Sequence, residues 1–146
     1  MFGTALVASL LASTAFADSA DLKKNLEELR IAGAKLKVAS LMIKGGKTYE
    51  IYCLPCHAPN SPLQPFSQSP IVQGAGSELA KFVLFSKTDR SHPAWHLMLS
   101  PNDVAELSTY IQFTFRHTDS EIVTPEAVVS VIAEKYGANT ACEKAK

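Results

Sequence analysis

Apolar residues recur at helical intervals through most of the chain, and no stretch alternates well enough to read as a strand. Over residues 18–43, Leu22, Leu26, Leu29, Leu36 and Ile43 fall at steps built mostly of threes and fours. That spacing predicts an amphipathic helix, weakened at Gly45-Gly46 before residues 47–52. Residues 58–76 carry Pro59, Pro62, Pro65 and Pro70 among Ser, Gln and Gly, the composition of a loop. A short helix over 77–86 draws its apolar content from Leu79, Phe82, Val83 and Leu84. The next start is marked three times: Ser100 as N-cap, Pro101 at the first helical position and Asp103 three residues after the cap, much as in a capping box. Val104, Leu107, Tyr110 and Ile111 supply its buried face. Thr124-Pro125-Glu126 signals a last helix containing Val128, Val129, Val131 and Ile132. The fold class is all-α, without repeats or low-complexity segments.

The first seventeen residues have a different pattern. They hold no charged side chain, residues 6–11 form a short, mostly apolar stretch, and Ala15-Phe16-Ala17 places small residues at −3 and −1 before Asp18. This is the layout of a secretory signal peptide, although the n-region lacks Lys and Arg. The competing reading is a membrane anchor, but the segment contains Gly, Thr and Ser and barely reaches the spanning minimum of roughly 17–20 residues. The expected organisation is a signal peptide at 1–17, an N-terminal helical extension at 18–40, a central domain at 41–115 and a C-terminal helical extension at 116–146. The mature product is expected in the periplasm, without a transmembrane segment and at most peripherally associated with a membrane complex.

Composition narrows the function classes. The chain has 146 residues, 47% of them hydrophobic, which suits one globular domain. Fourteen Lys and Arg balance fourteen Asp and Glu, so no global field recruits nucleic acid. Three cysteines are too few for a disulfide scaffold, and Cys142 is left over. The other two carry the chemistry.

Cys53-Leu54-Pro55-Cys56-His57 is a C-x-x-C-H motif. Two thiols about one helical turn apart can add to two vinyl groups on one haem edge, and the next imidazole is then held under the iron as an axial ligand. A thioredoxin-type redox pair needs an adjoining βαβ pattern, which is absent. A zinc site needs a second ligand pair, and His92 with His96 is the sole H-x-x-x-H that follows. The expected cofactor is therefore one covalently attached haem c, with His57 on its iron.

At these residues, and over roughly 41–115, the chain resembles the class I cytochrome c family. Gly45, Tyr49 and Cys53 fall at steps of four, like the family's Gly and aromatic residue leading into the haem motif. Leu107-Ser108-Thr109-Tyr110-Ile111 is similar to the L-x-x-Y-[IV] of its C-terminal helix. The resemblance implies a helical domain wrapped around one haem, with Gly45 allowing two helices to cross closely. Pro65-Phe66 through Pro70-Ile71 resembles the P-L-x-x-S-P-[VI] loop of cytochrome subunits in bacterial dehydrogenases, with Phe66 in place of Leu. The role this implies for Pro65 is to offer its carbonyl to the unligated nitrogen of His57.

The family supplies its sixth ligand as the Met of M-P-x-F-x-x-x-L-S before the last helix. In the segment from His92 to Ser100 of this chain, His92 stands where that Met is expected, Trp95 takes the aromatic position and Leu99-Ser100 the L-S. His92 precedes Tyr110 by eighteen residues, which suits the family; Met98 precedes it by twelve, which is short. The expected ligands are His57 and His92, with Met98 as the alternative and His96 a more remote one. A second imidazole implies a lower potential than methionine. Arg90 is a candidate partner for a haem propionate and Trp95 a candidate contact at the haem edge. Each is also readable as an ordinary surface cation and core aromatic.

The function this implies is one-electron transfer rather than catalysis, with redox proteins as partners: a periplasmic dehydrogenase, or an oxidase or reductase. Residues 121–129 are similar to the segment after the last haem helix in dehydrogenase cytochrome subunits. The alternative is a haem-based ligand-binding or gas-sensing module whose sixth ligand detaches. A small peroxidase would need an open iron position and a distal acid–base group, for which His96 is the nearby candidate.

Overall fold

The computed structural model describes residues 19–63, 65–86, 92–93, 95–116 and 119–137. The proposed signal peptide, Arg90 and Cys142 lie outside these residues. Every regular element among the described residues is helical: α1 (Ser19–Tyr52), α2 (Leu54–His57), α3 (Pro70–Gln73), α4 (Gly76–Phe85), α5 (Pro101–Phe115) and α6 (Pro125–Tyr136), with 3-10 turns at Phe66–Gln68 and Trp95–Leu97.

The helix starts follow local chemistry. Ser100 caps α5: its Oγ accepts from the Asp103 backbone N–H at 3.2 Å, while the Asp103 carboxylate accepts from the Ser100 N–H at 2.9 Å. This reciprocal box satisfies two N–H groups that the first turn leaves unpaired. Thr124 caps α6 through the Ala127 N–H at 3.3 Å, and Gly137 closes that helix with a φ of 89°, a left-handed value that favours glycine. Residues 58–76 are less irregular than their prolines imply. Pro70 opens α3 at a position where its missing N–H has no helical partner to lose.

The chain divides into two compact units, Met1–Ala34 and Lys35–Lys146. In the first, the described residues are helical and residues 20–34 are exposed, with Arg30 and Glu27 paired on the surface. The second holds the core. There α4, α5 and α6 pack on one another, and α3 packs on α4 and α5. Leu79, Ala80 and Leu84 of α4, Val104, Leu107 and Ile111 of α5, and Val128, Val131 and Ile132 of α6 are buried together. The segment read as a C-terminal extension thus contributes a core helix.

Gly45-Gly46 does not weaken α1, which runs unbroken through both residues. A Cβ on Gly45 would fall on the Glu106 carbonyl and on Cβ of Tyr110. The glycine therefore lets α1 and α5 approach at backbone distance, and that contact offsets its poor helix propensity of roughly 1 kcal/mol. Lys44 and Glu106 bridge the same crossing at 3.1 Å. Tyr49, four residues on, is buried against Tyr110, Phe66 and Phe115, with ring centroids 5.4, 5.9 and 5.7 Å away.

Candidate functional site

The C-x-x-C-H segment sits where α1 gives way to the single turn α2. The Cys53 carbonyl accepts from the N–H groups of Cys56 (3.1 Å) and His57 (2.8 Å). That turn sets the two thiols and the imidazole close together along the chain. Tyr49 Oη donates to the His57 carbonyl at 3.4 Å, tying the turn back to α1. Both cysteines are free, Cys53 half-buried and Cys56 exposed. Burial first, and the neighbouring Cys56 second, push the Cys53 thiol up to about 11, so it is protonated at neutral pH.

A cavity of about 270 Å³ opens beside this turn, and its walls include Cys53, Cys56, His57, His92, Pro93 and Trp95. The remaining lining is almost wholly apolar, from Val72 of α3, Leu79, Phe82 and Val83 of α4, and Ile111 of α5. A second cavity of about 450 Å³ shares His57, Leu63 and Phe66 with the first and is backed by Tyr49 and Phe115. The His57 ring lies between the two, its centroid 4.4 Å from that of Phe66.

The two histidines are chemically matched. Burial lowers the pKa of each below the ordinary imidazole value. Beyond burial, a charge on His92 lowers His57 further. Both are therefore harder to protonate than an ordinary imidazole. Ser86 Oγ stands 3.1 Å from His92 Nδ1. Among the described residues no three His, Cys, Asp or Glu side chains converge as a closed metal cage.

The other sequence-predicted residues divide. Trp95 is buried, lines the cavity and meets Tyr52 edge-on at 5.4 Å. Pro65 lines the second cavity, but its carbonyl accepts from the Gln68 N–H at 2.9 Å and makes no hydrogen bond to the His57 ring. Met98 is 59% exposed and stands outside the cavity walls. His96 is turned away, with Nδ1 3.2 Å from the Leu84 carbonyl and its ring against Phe85 and Tyr136. Arg90 lies outside the described residues.

Several positioning groups had no signal in the sequence. Gln112, fully buried, donates from Nε2 to the carbonyls of Val72 (3.2 Å) and Gly74 (3.1 Å), fixing the α3 wall of the cavity to α5. Thr109 Oγ1 accepts from the Val123 N–H at 3.0 Å and donates to its carbonyl at 3.3 Å. These bonds join residues far apart in the chain, so no local spacing marks them. Compared with known proteins, the chain matches no family, no curated sequence and no solved structure.

Proposed function

We propose that the chain is an exported mono-haem c-type cytochrome that carries single electrons, similar in plan to class I cytochromes c. The observation that carries this reading is one apolar cavity walled by both thiols of the C-x-x-C-H motif and by two histidines, His57 and His92. The residues fit the group. Cys53 and Cys56 would anchor it by addition of each S–H across a vinyl double bond, which needs no leaving group. Neutral His57 and His92 would each present an imidazole nitrogen to the iron. When bound, the haem supplies the Fe(III)/Fe(II) couple.

The chain's own part is to orient, to exclude water and to tune. Trp95, Val72, Leu79 and Ile111 keep the cavity apolar, which disfavours the more highly charged oxidation state. With His57 and His92 both on the iron, no coordination site would be left open for turnover, so the reading is a carrier rather than an enzyme. The reading gives His96, whose Nδ1 lies 3.2 Å from the Leu84 carbonyl, no acid–base role. Residues 1–17 would direct export to the periplasm, where the partner is a redox protein such as a dehydrogenase.

The test is the protein matured in a host that attaches haem. Mass analysis is expected to give the polypeptide plus one haem, and the oxidised spectrum to lack a near-infrared methionine–iron band. His92→Met is expected to raise the midpoint potential. A bare polypeptide mass sinks the reading, and an unchanged potential and visible spectrum in His92→Met sinks the ligand assignment.

A further inference from the structure

His92 is held from three sides. Ser86 Oγ lies 3.1 Å from Nδ1, the Phe82 ring centroid is 6.0 Å away at an interplanar angle of 57°, and Trp95 meets the ring edge-on at 6.0 Å and 87°. Phe82 and Ser86 are four residues apart, on the same side of the end of α4. The Ser86 backbone N–H donates to the Phe82 carbonyl at 2.9 Å, so the hydroxyl sits on a residue pinned by the helix.

A neutral imidazole carries one proton on two nitrogens, and the hydrogen bond made by one decides what the other can do. If Ser86 Oγ accepts from Nδ1–H, the Nε2 lone pair is free for a metal. The opposite polarity, with the hydroxyl donating to Nδ1, puts the proton on Nε2 and removes that lone pair. We propose that Ser86 is the positioning residue of the upper ligand: its hydroxyl oxygen accepts from His92 Nδ1–H, selects Nε2 for the iron and fixes the plane of the ring. The inference rests on the haem reading above and adds to it what holds the sixth ligand in place. Phe82 and Trp95 restrict the ring by packing, while Ser86 supplies the polar contact that chooses the nitrogen.

The experiment compares matured wild type, Ser86→Ala and Ser86→Thr. Two readouts are followed: the rate at which carbon monoxide binds the reduced protein, and the low-spin electron paramagnetic signal of the oxidised one. Partners that orient a metal-bound histidine contribute roughly 10–100-fold to metal affinity or activity. Ser86→Ala is therefore expected to bind carbon monoxide about 10-fold faster and to shift the largest g value. Ser86→Thr, which keeps the hydroxyl, is expected to restore both. If wild type has the bis-imidazole spectrum and Ser86→Ala matches it in both readouts, the inference is overturned while the haem reading stands. A change in Ser86→Ala that Ser86→Thr fails to reverse also overturns it, because the hydroxyl is then not the cause. If wild type lacks the haem mass, the reading and the inference fall together; if it has a methionine–iron band, the His92 assignment and the inference fall while the haem reading stands.

Discussion

At Cys53 the backbone and the environment act in different ways. The motif spacing sets the thiol one turn from Cys56, while burial holds it protonated, with its pKa pushed up to about 11. Thiolate is the reactive form, and at pH 8 its fraction is on the order of 0.1% in the fold, against about a quarter for an ordinary thiol. In the bare polypeptide, Cys53 is thus expected to alkylate about 100-fold more slowly in the folded chain than in urea, with the folded rate still rising above pH 9. Timed iodoacetamide labelling with peptide mass mapping checks this, and equal rates in both states would contradict the burial. The motif residues were legible as letters, because they lie within five consecutive positions and share one turn. Ser86 and Gln112 were not legible, since a serine six residues before a histidine, or a glutamine in a helix, is chemically ordinary until the fold chooses its neighbours.

Among the elements, capped helices were the most readable. Ser100, Pro101 and Asp103 act within one turn, and the reciprocal bonds of the capping box form there. Gly45-Gly46 reads locally as a weak point of the helix, whereas the close crossing that the resemblance implied for Gly45 depends on a helix sixty residues further on. Gly45→Ala gains about 1 kcal/mol of helix propensity but drives a methyl into the Glu106 carbonyl, an overpacking that costs about 1–3 kcal/mol. The expected result is a lower midpoint in urea unfolding. Gly33→Ala is the internal comparison: nothing lies within 4 Å of an added Cβ there, so helix content should rise without loss of stability. A stabilised Gly45→Ala would mean that the two helices do not meet so closely.

Over the whole molecule, exposure separates the chain more sharply than the sequence boundaries did. Leu22, Leu26 and Leu29 are 53–69% exposed, and the buried cluster of the second unit is built from its own residues. Removing residues 1–34 is expected to leave the unfolding free energy of the remainder within about 1 kcal/mol, measured by urea titration of both chains. Removing α6 should instead abolish cooperative unfolding, because Val128, Val131 and Ile132 fill the core beside α4 and α5. The all-helical class, the caps of α5 and α6 and the C-x-x-C-H turn were determined by the sequence alone, since each depends on residues within a turn or two of one another. Only tertiary structure decided that Ser86 and Phe82 flank His92, that Gln112 anchors the cavity wall and that Thr109 ties α5 to Val123. Those outcomes depend on which distant surfaces meet, and burial and close approach arise there without leaving a local periodicity to read.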